Sequence, residues 1–389
     1  MSTGRVLLIS FDFSSAGGLE IYTRETAFAL RESGVEVDVV CPRLPRGQPD
    51  ESGVRVFGLM PKNRLARRAA RRLTPYLLQA FCALRKRNYD RIILGHVGLA
   101  KLARPLLDAT TCPYWVLTFG IEVWEAWNEP VRTAMAGAER IVTISSFSEE
   151  QIESRLVDGR RRMSLIAPHV DLSRFVDTPS SSADESTQTE LRLLTVARLS
   201  SAEGYKGHDL VLEALAHLKG IPLPPLRYQI AGAGDDSNRL QKLAKDLGLQ
   251  DIVEFLGRVS DDELVSLYQG CDIYVMPSYV RRRPDGTWAG EGFGIVYIEA
   301  AACAKPSVGC DEGGQTDIIQ DGKTGMLVKP EAKDVARALR KLASDATLRQ
   351  KMGQAAKADV HRFQRRAFVE AWAKLWTSCL AGSHQPPPR

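Results

Sequence analysis

No apolar run in this chain of 389 residues reaches the ~18–20 residues that a membrane-crossing helix needs, so no spanning segment is expected. The amino terminus has no basic lead and passes at once into a strand-like run, which argues against a signal peptide. Cysteine is sparse, scattered and odd in number: Cys41, Cys82, Cys112, Cys271, Cys303, Cys310 and Cys379, with no Cys-x-x-Cys. That pattern excludes a disulfide framework or a cysteine zinc site, and it fits reduced thiols in the cytoplasm. There is no Asp-x-Asp to hold a divalent cation, and no metal is expected. Neither sign of charge dominates, since 52 Lys and Arg face 47 Asp and Glu, a net +5. An excess that small does not imply nucleic acid.

The chain is long enough for two α/β domains of ordinary size. At 44% hydrophobic and 25% charged, it is not disordered as a whole. The stretch that organises it is Glu291-Gly292-Phe293-Gly294-Ile295-Val296-Tyr297-Ile298-Glu299-Ala300-Ala301-Ala302. Residues 293–304 read as a helix packed on a sheet, with Glu291 at its start and Glu299 within its apolar body. Eight helical residues rise ~12 Å and return to nearly the same face. Two carboxylates so placed, with a glycine-rich helix start between them, suit a ligand with hydroxyls at both ends and phosphate in the middle. A dipole-favoured first-turn Glu and a core Glu with an ion partner would give the same spacing.

This Glu-x7-Glu opening on Glu-Gly-Phe-Gly, followed by Glu-Ala and Lys305-Pro306, resembles the donor signature of the retaining glycosyltransferases of family 4. The similarity runs from about Val6 to Val328. It implies the α/β GT-B fold, two Rossmann-like doubly wound domains facing across a cleft. The expected division is residues 1–175 on the acceptor side, a linker over 176–190, and a nucleotide-sugar domain over 191–362. A crossover helix over 363–382 would return to the first domain, and 383–389 would be a tail. By resemblance Arg198 and Lys206 clasp the donor pyrophosphate, and Glu291 with the amides of Gly292, Phe293 and Gly294 holds the transferred sugar. Glu299 would hold the ribose, Val259 would meet the nucleobase, and Gly17-Gly18 would face the diphosphate. Arg198, Lys206 and Glu291 are the residues assigned to catalysis.

Other stretches are read from the chain itself. Arg5–Ser10 is a buried strand, and a helix from about Leu19 to Ser33 follows the small-residue loop at Gly17-Gly18. Gly232-Ala233-Gly234 only half-matches a dinucleotide fingerprint, because Asp235 and Asp236 stand where a pyrophosphate would go. It reads as a strand-to-helix turn. Tyr279–Gly290, with Arg281, Arg282 and Arg283, reads as a basic loop and candidate lid. On the acceptor side the candidates are His96, Phe119 and Glu122. Phe119 stands where the family usually has His, and His96, at the end of the strand Arg91–His96, could take its place. Lys62–Arg72 carries six basic residues and no acidic one. It fits an anionic membrane surface or anionic acceptor about as well as a plain solvated face, and without interleaved aromatics it does not suggest nucleic acid.

The expected activity is transfer of a hexose-type sugar from a UDP- or GDP-sugar, a co-substrate and not a cofactor, to a sugar, lipid-linked or small-molecule acceptor. The products would be cell-envelope polysaccharide, glycolipid or glycoconjugate, made in the cytoplasm or at the inner membrane face. A catalytically weak sugar-nucleotide-binding protein and a Rossmann-type oxidoreductase are the rival readings, the second disfavoured by the poor glycine fingerprint.

Overall fold

The computed structural model describes residues 4–13, 17–41, 54–57, 74–156, 162–175 and 190–382. The basic segment Lys62–Arg72, residues 176–189 of the expected linker and the tail from 383 lie outside these residues. The chain divides into two compact units, 1–168 with 365–389, and 169–364.

The first unit is a seven-stranded, wholly parallel sheet: β1 (Arg5–Ile9), β2 (Glu36–Val40), β3 (Arg55–Phe57), β4 (Arg91–Leu94), β5 (Tyr114–Thr118), β6 (Arg140–Thr143) and β7 (Met163–Leu165). Its order is β3-β2-β1-β4-β5-β6-β7. The central strands are apolar along their whole length because both faces are covered. Val6, Leu7, Leu8 and Ile9 are each 0% exposed. Helices Gly18–Glu32 and Arg365–Gly382 pack on one another. Within this unit the C-terminal helix sets Trp372 and Trp376 against Trp115, at 6.4 and 5.9 Å between ring centroids. Arg365 pairs with Glu32 at 2.7 Å and with Glu25 at 3.5 Å.

The second unit is a six-stranded parallel sheet: β8 (Leu191–Val196), β9 (Leu226–Ala231), β10 (Val253–Gly257), β11 (Ile273–Val275), β14 (Ser307–Cys310) and β15 (Gly325–Val328). Its order is β10-β9-β8-β11-β14-β15. Between β11 and β14 the chain makes a small antiparallel hairpin, β12 (Arg281–Arg282) with β13 (Trp288–Ala289). Residues 169–175 belong here and not to the first unit. Val170 N–H donates to the Phe363 carbonyl at 2.9 Å, and Phe175 sets its ring edge-on to Tyr268 at 5.9 Å.

In both sheets strand order reverses once, between β1 and β4 and between β8 and β11. Such switch points open a crevice at the carboxyl ends of the strands, where open α/β sheets hold their ligands. Among the described residues, no helix is long and apolar enough to cross a membrane.

Candidate active site

The second unit concentrates charge at its switch point. Arg198 follows β8, and a 3-10 turn over Ser201–Lys206 carries Glu203, Tyr205 and Lys206. Ser201 is tied to Asp235 by its amide (3.0 Å) and hydroxyl (2.6 Å). Gly232 and Gly234 pass against the carbonyls of Ala197 and Leu199, where a Cβ would come within 1.8 and 1.9 Å. These glycines therefore serve backbone packing and Asp235 serves the turn. The Gly-x-Gly stretch is a strand-to-helix turn, as its acidic residues imply, and the oxidoreductase reading loses its motif.

The Lys206 ammonium meets the Glu291 carboxylate at 3.0 Å, with the two side chains only 13% and 16% exposed. Burial works against the Lys206 charge, yet Glu291 overcomes it, and the net effect raises the lysine pKa above its ordinary value. Arg198 pairs with Glu203, which is itself nearly buried. Each cation of this cluster thus faces a carboxylate of its own unit.

Glu291 does not open the signature helix, which runs from Ile295 to Ala302. Gly294, with φ of 100°, takes a left-handed conformation that a helix cannot continue through. Glu291 therefore lies in the turn ahead of the helix, and a helical rise does not measure its separation from Glu299. The turn is clamped from the other side. Gly314 N–H donates to the Glu291 carbonyl at 2.8 Å, and a Cβ on Gly314 would strike the Gly292 carbonyl at 2.3 Å. Gln315, fully buried, donates to the carbonyls of Ser278 (2.6 Å) and Cys310 (3.3 Å) and so ties this loop to the ends of β11 and β14.

Glu299 lies one turn before the end of the signature helix, and Tyr268 donates its phenol to Oε2 at 2.7 Å. Burial raises the Glu299 pKa, with the Tyr268 bond and the Arg174 charge pulling the other way. Residues 279–290, expected as a loop, form the hairpin instead. Asp285 caps its turn by accepting from Thr287 at 2.9 Å, and Arg283 donates to the Ala202 carbonyl at 3.1 Å. Val259 lines a groove of about 530 Å³ with Arg192, Gln229, Leu256, Ser266 and Leu267. None of Arg198, Lys206, Glu291 or Glu299 lines that groove, so its size does not mark the charged cluster.

The first unit builds its switch point from rings. His96 lies two residues beyond β4 and Phe119 directly after β5, and these strands are neighbours. The imidazole stacks on Phe119 at 5.8 Å and 11° and leans on Phe11 at 5.5 Å. Gly98 N–H donates to Nδ1 at 2.8 Å, so the neutral ring carries its proton on Nε2. Burial lowers the His96 pKa, opposed by Glu122 and Glu20. His96 is therefore a neutral hydrogen-bond donor near pH 7. Glu122 Oε1 accepts from the amides of Phe119 (2.5 Å) and Gly120 (3.2 Å), which commits that oxygen to its own turn. Gly17 caps the first helix with an extended backbone, and a Cβ on Gly18 would meet nothing within 4 Å. The Glu20 carboxylate folds over Gly17, where a Cβ would come within 2.2 Å, and an anion at this helix start would have to move it aside.

The structure thus brings Lys206 to Glu291 and Arg198 to Glu203, and His96 to Phe119 with Glu122 nearby. Glu203, Tyr268 and Gln315 were not singled out from the sequence. Glu203, five residues after Arg198 and three before Lys206, had a signal in its position between two cations; the other two had none. Among the described residues no cluster of His, Cys, Asp and Glu is arranged to hold a metal ion.

Residues 179–359 match the family model for glycosyl transferases group 1, and residues 17–168 match the glycosyl transferase 4-like domain. The D-inositol 3-phosphate glycosyltransferase of Paenarthrobacter aurescens is 30% identical, with 91% of each chain aligned. That of Corynebacterium jeikeium is 29% identical over 95% of this chain and 94% of its own. Among solved structures, sucrose-phosphate synthase from Thermosynechococcus elongatus superposes with a TM-score of 0.73 at 21% identity, over 97% of this chain and 100% of its own. Anabaena Alr3699/HepE in complex with UDP and glucose gives 0.71 at 20% identity, over 96% and 100%.

Proposed function

Because this chain belongs to the group 1 glycosyltransferases, we propose that it moves a hexose-type sugar from a UDP- or GDP-sugar to an acceptor hydroxyl with retained configuration. The observation that carries the reading is the cation pair at the second switch point, Arg198 and Lys206, beside the Glu291 turn. A leaving nucleoside diphosphate gains negative charge as the glycosidic bond stretches. Fixed cations at a strand end stabilise that charge without a metal ion. Glu291 and the turn amides of Gly292, Phe293 and Gly294 would hold the sugar hydroxyls, and Glu299 the ribose.

In the proposed reaction the acceptor oxygen attacks the anomeric carbon on the face that the diphosphate leaves. The carbon–acceptor oxygen bond forms as the carbon–phosphate oxygen bond breaks, and the acceptor proton passes to the departing phosphate. No protein nucleophile takes part. With Nδ1 engaged, neutral His96 can donate to an acceptor oxygen but not remove its proton. This fits a reaction in which the leaving group is the base.

The HepE structure contains UDP and glucose, which supports a nucleotide-sugar donor here. Turnover of UDP- and GDP-hexoses, with the product anomer read by NMR, tests the reading. Loss of turnover in Arg198→Ala and Lys206→Ala is expected, and unchanged turnover in both would overturn it. The Lys62–Arg72 segment is proposed to bring a cytoplasmic enzyme to an anionic membrane bearing its acceptor. Each basic residue contributes about 1 kcal/mol at such a surface, and salt screens the attraction. Salt-sensitive flotation with anionic vesicles, lost when Arg67, Arg68, Arg71 and Arg72 become Gln, is the expected result.

A further inference from the structure

Glu299 is a nearly buried carboxylate with one oxygen held. Its Oε2 accepts the Tyr268 phenol at 2.7 Å, and Oε1 has no hydrogen-bond partner among the described residues. Tyr268 comes from the helix Asp261–Gly270, which packs on the signature helix, and it is fully buried. Its ring is fixed on two sides, edge-on to Phe175 at 5.9 Å and tilted on Tyr274 at 5.8 Å. Tyr274 in turn meets Tyr297 edge-on at 5.5 Å, and Tyr297 donates to the Met276 carbonyl. This row of rings runs from Phe175 beneath the signature helix to the end of β11. A phenol held in such a row cannot swing away from its acceptor.

We propose that Tyr268 is a positioning residue for the donor nucleotide: its phenol pins one oxygen of Glu299 and leaves the other aimed at a vicinal diol. The inference rests on the reading of Glu299 as the ribose carboxylate and names the group that makes that reading work. A lone carboxylate in an apolar helix gains a proton or rotates to find a donor. One fixed neutral donor opposes both without adding a charge that would compete with the ligand. Burial pushes the Tyr268 hydroxyl well above its ordinary pKa, so it remains a donor at every working pH. The charged groups facing Glu299 besides Tyr268 are Arg174, which favours its ionised form, and Asp261, which opposes it. Arg174 and Asp261 are paired with one another at 3.1 Å.

The test compares UDP and GDP with their 2′-deoxy counterparts by calorimetric titration of the full chain. The nucleotide that binds should be favoured over its deoxy form by about tenfold or more, as expected for a hydrogen bond to a charged group. Tyr268→Phe should weaken the ribonucleotide about tenfold, leave the deoxy form nearly unchanged, and raise the donor KM more than it lowers kcat. The loss should deepen from pH 8 to pH 6, because Glu299 without the phenol gains its proton at higher pH. Placing 3-fluorotyrosine at position 268, a stronger donor of nearly the same size, should move the ratio the other way. That arm decides the matter if Tyr268→Phe does not fold.

Equal weakening of both nucleotides by Tyr268→Phe, or an unchanged ratio in either variant, overturns the inference and leaves the phenol as packing. Glu299→Gln separates the two levels. If it leaves the ribose preference intact, the ribose reading itself fails. If it abolishes the preference while Tyr268→Phe does not, only the role of Tyr268 fails.

Discussion

The two switch points are built from different materials. In the second unit, charge meets charge: Lys206 with Glu291 and Arg198 with Glu203. In the first, rings and backbone amides do the positioning: His96 lies between Phe11 and Phe119, and Glu122 closes its own turn. A diphosphate presents the same charges in every nucleotide sugar, so a site for it can be preset and internally compensated. Hydroxyl-bearing acceptors differ in shape and share little fixed charge, so stacking surfaces and single neutral donors suit them better. Under the proposed function, breaking the buried Lys206–Glu291 pair should alter chemistry and stability together, whereas substitution at His96 should alter acceptor use alone.

The largest effect is expected from Lys206→Met. It leaves Glu291 nearly buried without its cation, which costs roughly 3–5 kcal/mol of stability. Turnover should also fall by about 10²–10³-fold. The double variant Lys206→Met/Glu291→Gln should regain most of the urea midpoint and none of the turnover, so recovery of activity would break the comparison. Arg198→Ala should cost about 10²–10³ in kcat, as for loss of one charge-stabilising group. Its stability should hardly change, because the Arg198 side chain is 78% exposed and such a pair contributes little to folding.

The third effect is on stability alone. His208 is buried beside Lys206 with neither ring nitrogen hydrogen-bonded among the described residues, and burial lowers its pKa to about 4. The unfolded chain therefore binds a proton near pH 6.5 that the fold refuses. Stability is complete above that value and should fall by roughly 3 kcal/mol as pH drops toward 4. Urea unfolding of His208→Leu should lack this component, and an unchanged pH slope would place the acid sensitivity elsewhere. The smallest effect belongs to the first unit. His96→Phe keeps the stack and removes the Nε2 donor, and kcat/KM for the acceptor should fall about tenfold with donor affinity unchanged. Because its pKa is lowered, His96 should add no ionisation to the rate profile between pH 7 and 9. A loss as large as that of Arg198→Ala would erase the contrast between the two ends.

Much of the fold was legible because buried parallel strands are apolar without interruption. Val6-Leu7-Leu8-Ile9 and Tyr114-Trp115-Val116-Leu117 announce themselves. The three-residue strands Arg55–Phe57 and Met163–Leu165 do not, since each is too short to show a period. The residues of the charged cluster were readable as types at known spacings, but their partners were not. Lys206 and Glu291 are 85 positions apart, and only the order of β8 and β11 in the sheet brings their loops together. Glu291 was drawn into the helix because Glu-Gly-Phe-Gly reads as a helix start, and nothing in the letters tells a left-handed Gly294 from a helical one. Tyr268 was invisible because an aromatic residue in an amphipathic helix is expected to be core, and its ring is.

The return of the last helix to the first unit has a consequence for synthesis. Trp115 and Tyr22 emerge from the ribosome before the second unit, while Phe368, Trp372 and Trp376, which pack against them, emerge after it. The whole second unit is translated in between. At roughly 5–20 residues per second that interval is on the order of ten to forty seconds, long against the folding of a single domain. The unit that begins first therefore finishes second. Until the helix Arg365–Gly382 arrives, the rings of Trp115 and Tyr22 lack the cover that it provides, and a chaperone or a second nascent chain can compete for them.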